Sequence, residues 1–280
     1  MSRVAIGIPV FNEEKYIAKT LYSVLSQFED CSDLEVCISD NGSSDNSVRE
    51  IEAVLDSFSG PTSKVRFNQH STNAGPDFNF WHVYDATDSD YFLWVGAHDL
   101  ISHRYASLGL KHLNESPDIS MFCGAHMAIA PDDKVAEQAV VYDFGQENPA
   151  ERYLRSISSL NNCYIFHSMF RRNSLDGFDR SKKAPSGDHI LISRWLWAGR
   201  LVQSRECGYL RRYFHSENRE QKTLLGSYAH GRNNVQFFDA YLSDLENLTL
   251  DLPQLIRDAI IRRASDLLIQ RFGIPFVERM

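Results

Sequence analysis

Long apolar runs are missing from this chain: nowhere does it offer the roughly 18 consecutive apolar residues that a membrane-spanning helix needs. The opening MSRVAIGIPVFNEEK reaches Asn12, Glu13 and Glu14 after too short an apolar run for a secretory signal. The expectation is therefore a cytoplasmic protein, in solution or lying on the inner face of a membrane. Cysteine is scarce. The five residues Cys31, Cys37, Cys123, Cys163 and Cys207 are odd in number and scattered, so they suggest neither a disulfide framework nor a zinc site. They read as small buried hydrophobes in a reducing compartment. An excess of basic residues is also lacking. With 29 Lys and Arg against 37 Asp and Glu, the net charge of -8 argues against a nucleic-acid partner, because affinity for a phosphate backbone needs a basic surface. The chain has no internal repeat and no low-complexity linker.

What is present suits a compact, enzyme-sized protein. A chain of 280 residues with 43% hydrophobic content can bury one large core, or one core with a smaller appended subdomain. Val4, Ile6, Ile8 and Val10 share one face of a first strand. A helix follows, with Asn12 as N-cap, Glu13 and Glu14 complementing its dipole, and Ile17, Leu21, Val24 and Leu25 as its apolar stripe. LEVCIS (34–39) is a second strand running into Asp40 and the turn NGSSDNS, after which Val48, Ile51, Leu55 and Phe58 mark a second helix. KVRFNQH (64–70), the loop STNAGP and a helix from Pro76 come next, and YFLWVG (91–96) is a fourth strand ending on Ala97-His98-Asp99. This alternation predicts a mostly parallel sheet with helices on both faces. In such sheets ligands bind at the carboxyl ends of the strands. Asn12, Asp40 with Asn41 and Gly42, Asn73 with Gly75, and His98 with Asp99 should thus converge on one edge.

The second half is less regular. MFCGAHMAI and VAEQAVVYDF read as a strand pair around PDDK, ENPAERYLRSISSL as a helix, CYIFHSMF as a strand, and DHILISRWLWAG as a helix stopping at Gly199. From residue 235 onward, Leu252, Leu255, Ile256, Ala259, Ile260, Leu267 and Leu268 keep helical spacing between Arg257, Arg262, Arg263 and Arg271. Such a helix packs on its own domain or on a subunit partner, or lies on an anionic membrane surface.

Several segments taken in order resemble glycosyltransferase family 2: IGIPVFNEEKYIAKTLYSVLSQ, ISDNGSSDNS, the NAGP loop, YFLWVGAHDLIS, FRRNSLDGF, SGDHILISRWLWAGRLVQSRECGYLRR and the RRYFH ending. The resemblance covers about residues 3–216 and implies a GT-A type, Rossmann-like α/β fold with a helical C-terminal tail. It divides the chain into a nucleotide-sugar donor half (1–116), an acceptor half (117–216) and a helical extension (217–280). The implied reaction inverts the anomeric carbon as a sugar moves from a nucleotide-sugar donor to a carbohydrate or glycolipid acceptor, in surface polysaccharide or glycoconjugate synthesis.

In that picture Pro9, Asn12, Asp40, Asn41, Asn73 and Gly75 form the nucleotide site, Asp40 contacting the base. The alternative for Asp40 is a turn aspartate capping NGSS. Arg211 and Arg212 neutralise the diphosphate. Family members commonly carry an Asp-x-Asp-like motif where this chain has Ala97-His98-Asp99. Asp99, His98 and His215 are the candidate metal ligands, and an imidazole tilts the choice of divalent ion toward Mn²⁺ over Mg²⁺; His98 as a mere polar neighbour stays open. Asp188 falls at the position of the catalytic base, with a helix cap as its other reading and His189 as a weaker base. Two rivals remain. One is a catalytically silent nucleotide-sugar-binding or scaffold protein, suggested by the lost carboxylates. The other is a nucleotidyltransferase, against which stands Val10-Phe11-Asn12-Glu13 where a glycine-rich basic loop would be needed.

Overall fold

The computed structural model describes residues 3–182, 187–213 and 234–273. The first half alternates as expected: β1 (Val4–Val10), α1 (Ile17–Leu25), β2 (Leu34–Asp40), α2 (Ser47–Ser57), β3 (Val65–Gln69), α3 (Pro76–Asp85) and β4 (Tyr91–Trp94). β1 pairs in parallel with both β2 and β4, and β2 pairs in parallel with β3. All of β1 but Pro9 is buried, which is why its sequence is nearly continuously apolar and not alternating. Gly7 is required by packing. A Cβ there would lie 2.5 Å from the Phe92 ring and 2.7 Å from Val83, so its absence lets α3 settle onto β1.

The sheet then changes character. β5 (Leu100–Ile101), α4 (Tyr105–Glu115), β6 (Ile119–Ile129), β7 (Val135–Val140), α5 (Pro149–Ser159), β8 (Met169–Arg171), α6 (Gly187–Ala198) and β9 (Arg200–Arg212) follow. The strand order is β3-β2-β1-β4-β8-β6-β9-β5, with β7 on β6. β8 is antiparallel to β4 and to β6, and β5 is antiparallel to β9.

Three local readings change. Asn12 does not cap α1: its φ is 56°, the N-cap is Tyr16 without a side-chain bond, and the Asn12 amide bonds instead to a neighbouring loop. CYIFHSMF forms a 3-10 turn over Tyr164–His167 and only a three-residue strand, Met169–Arg171. β9, the longest strand among those described, has 13 residues and went unread because its sequence is mixed in polarity and rich in arginine.

The chain folds as two compact units, one of Met1–Tyr142, His167–Arg172 and Val202–Tyr213, the other of Asp143–Phe166, Asn173–Leu201 and Phe214–Met280. The units interleave along the chain, so their borders differ from the linear divisions after residues 116 and 216. The second unit is helical, and α7 (Asn234–Leu248) and α8 (Gln254–Phe272) share one core with α5 and α6. Tyr153, Ile157, Ile190, Tyr241, Leu245, Ala264 and Leu268 are buried together there. Two arginines close helix ends. Arg152 donates to Leu196 O (2.6 Å) and Trp197 O (3.2 Å) at the end of α6, and Arg271 donates to the Ser156, Ile157 and Leu160 carbonyls at the end of α5. A cation satisfies orphan carbonyls and complements the negative helix terminus. The C-terminal helix thus packs on its own unit. No helix among the described residues is long and apolar enough to cross a membrane.

Leu268 is fully buried and Leu255 is 83% exposed, so the two leucines of α8 should behave oppositely. Leu268→Ala should cost about 2–5 kcal/mol, whereas Leu255→Ala should stay within about 0.5 kcal/mol of the parent. Urea unfolding of both variants checks this, and equal effects would show that α8 does not pack as described.

Candidate functional site at the strand ends

At the carboxyl end of β2 sits Asp40, with no solvent exposure. Its Oδ2 accepts from Ser43 N at 3.1 Å, while Oδ1 is buried and has no partner. Gly42, at φ 72°, lets the 72–73 backbone come close, since a Cβ would meet Thr72 C at 2.7 Å. Asn41 then ties this turn to the next loop. Its Nδ2 donates to Asn73 Oδ1 and to Gly75 O, both at 2.9 Å, and its Oδ1 accepts from Ala74 N at 3.0 Å. Asn73 Oδ1 also accepts from Gly75 N at 2.8 Å, and Gly75 leads into Pro76 at the head of α3. Asp40, Asn41, Asn73 and Gly75 are therefore brought together. Asn79 belongs with them and escaped sequence reading. Its Nδ2 donates to Val10 O (3.2 Å) and Ser39 O (3.0 Å), pinning the ends of β1 and β2. The signal was there: a polar residue one helical turn before Val83, on the buried face of α3.

The loop after β1 is equally spoken for. Asn12 N donates to Ser43 Oγ (2.9 Å), and its Oδ1 accepts from Ser44 N (2.9 Å). Glu14 Oε2 accepts from Asn46 N at 2.9 Å, so this carboxylate serves the start of α2 and not of α1. Pro9 lies within β1, opposite Ser39. It has no N–H to offer, and the neighbouring amide of Asn12 is taken.

After β4 the chain turns, with Asp99 N bonded to Gly96 O at 2.9 Å. Ala97 is buried in the core, where its carbonyl accepts from Thr20 Oγ1 at 3.0 Å, and its methyl side chain offers no ligand. Asp99 is 1% exposed. Its Oδ2 accepts from Tyr209 Oη (2.8 Å) and its Oδ1 from Arg212 N (2.7 Å). Burial, followed by the Asp99 charge, pushes the Tyr209 phenol well above its usual range, so it stays a donor. His98 Nδ1 lies 2.7 Å from Glu13 Oε1, and its Nε2 lies 3.9 Å from Asp99 Oδ1. Burial opposes its charge, yet the Glu13 hydrogen bond and the Asp99 and Glu13 charges together raise its pKa.

Of the two arginines, Arg212 is not available to a ligand. Its side chain is fully buried and forms an ion pair with Asp133 (2.6 Å). It also donates to His98 O (2.8 Å), Ala130 O (2.9 Å) and Pro131 O (3.2 Å), and it covers the Tyr16 ring. Every branch of the guanidinium is used in holding the turn. The positive charge of Arg211 instead acts on His98, His126, His167 and Tyr209. Among the described residues no group of three His, Cys, Asp or Glu side chains is arranged to hold a metal ion. Asp99 has both oxygens engaged and His98 faces Glu13, so these two residues do not by themselves fit a divalent ion. His215 lies outside the described residues.

Asp188 belongs to the second unit, in the first turn of α6, where its Oδ1 accepts from His189 N at 2.9 Å. His189 is 4% exposed and lies 3.2 Å from Tyr241 Oη. Burial and then the Arg271 charge push its pKa down to about 3. It is a core residue and a poor base.

The parallel half-sheet, its polar edge of strand-end residues and the antiparallel strands that follow define an α/β protein of GT-A type. The family model for glycosyl transferase family 2 matches residues 5–178, and the chain belongs to that family. Abequosyltransferase RfbV of Salmonella typhimurium is 28% identical over 116 residues, which is 41% of this chain and only 34% of that protein. The fold is similar to that of S. aureus TarS 1–349, with TM-score 0.63 at 15% identity, covering 96% of this chain and 72% of that one. The same TarS fragment in complex with UDP-GlcNAc gives 0.62 at 16% identity, covering 96% and 73%. Mannosyltransferase PcManGT from Pyrobaculum calidifontis, in complex with GDP-Man and Mn2+, gives 0.55 at 11% identity, covering 96% and 74%.

The buried imidazoles beside this site predict a pH dependence of stability. Burial, with the His167 and Arg211 charges, lowers His126 to about 3, and burial leads the causes that lower His167 to about 4. Both are depressed relative to an unfolded value of about 6.5. Their stability contribution is therefore complete above about pH 6.5 and is lost as pH falls toward 4, by up to about 1.4 kcal/mol per pH unit for each group. His98 runs the other way: its raised value adds stability below about pH 6.5 that fades as pH rises. Denaturant midpoints measured between pH 7.5 and 4.5 check the balance. The midpoint should fall on acidification, and less so for His126→Gln.

Proposed function

We propose that the protein is an inverting glycosyltransferase that moves a sugar from a nucleoside-diphosphate sugar to an acceptor hydroxyl, in surface polysaccharide or glycoconjugate synthesis. The observation that carries this reading is Asp40, a fully buried carboxylate with one oxygen satisfied and the other without a partner. Leaving such an oxygen bare costs about 1–3 kcal/mol or more, and an N–H of a nucleobase or a ribose hydroxyl would satisfy it. Asn41 supports the reading by holding the 73–75 loop beside it. The relatives bear on donor and product: the abequosyltransferase by its name, and the two structural neighbours by the UDP-GlcNAc and GDP-Man they carry.

The reaction proposed is a single displacement. Asp188 takes the proton of the acceptor hydroxyl as its oxygen forms a bond to the anomeric carbon, and the bond from that carbon to the diphosphate breaks with its electron pair leaving on the diphosphate. Arg211 would oppose the charge that develops there, while Arg212 and Tyr209 fix the Asp99 turn beneath it. A divalent ion, if it binds, supplies further charge neutralisation, and His98 is the reason to expect Mn²⁺ over Mg²⁺. His98 and Asp99 need added ligands to hold it, so no step is assigned to the ion. The location consistent with a nucleotide-sugar donor is cytoplasmic, in solution or at the inner face of the membrane. The acceptor-side partner would be a carbohydrate or glycolipid.

Calorimetric titration with UDP, GDP, CDP and dTDP, each in EDTA, Mg²⁺ and Mn²⁺, tests the donor site. At least one diphosphate should bind, and Asp40→Ala should weaken it by about 10-fold or more. No binding in any condition would remove the glycosyltransferase reading, and equal binding in EDTA and Mn²⁺ would remove the metal. Asp188→Asn should lower turnover by roughly 10²- to 10⁴-fold while donor affinity stays unchanged. Near-parental turnover would assign Asp188 to helix capping alone, and a catalytically silent protein would show donor binding with no turnover in parent or variant.

A further inference from the structure

The second unit contains a buried carboxylate that its own surroundings leave half-satisfied. Asp244, on α7, is 5% exposed. Its Oδ1 is ion-paired with Arg194 Nη1 on α6. Arg194 also donates to the carbonyls of Ser174 (2.9 Å) and Asp176. Asp244 Oδ2 is buried and without a partner. Burial is the leading reason that this carboxyl is pushed up to about 6, against the lowering effect of Arg194. Such a group lacks a hydrogen-bond donor.

Asp244 lines a small cavity, together with Ser243 and Asn247 of α7, Gly187 and Ile190 of α6, and Phe178, Asp179 and Lys182 of the segment before α6. The cavity holds about 350 Å³ of free space, part of it open to solvent. The composition of the wall limits the occupant. Asp244 is paired with Arg194, and Lys182 is shared between Asp239 and Asp179, so the wall has no spare positive charge to hold an anion. Ser243 and Asn247 add neutral donors and acceptors, while Phe178 and Ile190 present carbon surface. A wall that combines one free carboxylate oxygen, neutral polar groups and apolar carbon matches a sugar, whose hydroxyls donate and whose C–H faces pack on apolar side chains.

We infer that this cavity is a subsite for a neutral saccharide unit, one hydroxyl or hydroxymethyl group entering to donate to Asp244 Oδ2 while the sugar ring rests at the mouth. Gly187 lines the cavity and Asp188 follows it in the chain, so the subsite lies at the same end of α6 as the carboxylate proposed as base. It belongs to the second unit, whereas the edge built on Asp40 belongs to the first.

The test uses the full chain and the methyl glycosides of glucose, galactose, mannose and N-acetylglucosamine, observed by saturation-transfer NMR, with nucleoside diphosphate titration of the same samples as a control. At least one glycoside should receive saturation. Asn247→Ala and Ser243→Ala, which leave the Arg194 ion pair untouched, should each weaken it by about 3- to 10-fold, the effect of removing one neutral hydrogen bond. Ser243→Leu, which adds volume at the cavity wall, should abolish it. Asp244→Asn is a second variant, read only if its melting profile matches the parent. Absence of saturation for all four glycosides, with the protein folded, would mean that the cavity holds only water and would overturn the inference. So would saturation that none of the variants changes. If the glycosides bind and no nucleotide does, the donor reading falls and this subsite stands; the reverse pattern leaves the donor site and removes the subsite.

Discussion

The burial of Asp99 is the constraint on which the first unit turns. A carboxylate that is 1% exposed would neutralise itself or destabilise the fold unless donors met both oxygens. Tyr209 Oη and Arg212 N supply them at 2.8 and 2.7 Å, and both come from β9. Arg212 extends the same tie. Its side chain fastens the carbonyls of His98, Ala130 and Pro131, so the turn after β4, the end of β6 and the end of β9 are held at one place. The pairing of β5 with β9, Leu100 opposite Leu210 and Ile101 opposite Tyr209, begins one residue after Asp99. The backbone pairing of β8 with β4 and β6 joins the parallel and antiparallel parts of the sheet, and the Asp99 carboxylate adds a second tie between the β4 turn and β9.

The same requirement explains why the strand ends form one edge and not a set of independent loops. Each loop lends a side chain to its neighbour: Asn12 to the 43–44 turn, Glu14 to the start of α2, Asn41 to the 73–75 loop, Asn79 to the last carbonyls of β1 and β2. Buried backbone groups at the ends of a sheet lack the ladder and must be paired by other means. Asparagine suits this because it both donates and accepts. The polar residues concentrated there are consequently partly architecture.

That division sets how far the sequence could be read. Apolar periodicity marked β1 through β4 and their helices to within a few residues, because burial on both faces and helix stripes are written locally. The convergence of Asp40, Asn41, Asn73 and Gly75 followed from the rule for strand ends in parallel sheets. The roles within that edge did not follow. Arg211 and Arg212 are adjacent and alike in sequence, yet alternation along β9 sends Arg212 into the interior and Arg211 toward the histidines. Asn12 has the composition of a helix cap but a left-handed backbone that aims it elsewhere. Asn79 and Tyr209 act through contacts 40 and 110 residues away in sequence, and long-range partners leave no local trace. The C-terminal arginines were equally illegible: Arg271 closes α5 from 111 residues away at Leu160, a role that spacing within α8 alone could not reveal.

Three buried aspartates now allow a comparison that separates architecture from binding. All are at most 5% exposed. Asp99 has a protein donor on each oxygen. Asp40 and Asp244 each have one oxygen satisfied, by Ser43 N and by Arg194, and one left bare. The satisfied oxygen explains how each carboxylate is held in place, and in both cases the bare one is a standing cost that burial enlarges. A fully satisfied carboxylate such as Asp99 needs no ligand to account for it. In the reading proposed above, donors from outside the chain meet the bare oxygens of Asp40 and Asp244, which lie in different compact units, one at the strand ends and one beside the start of α6.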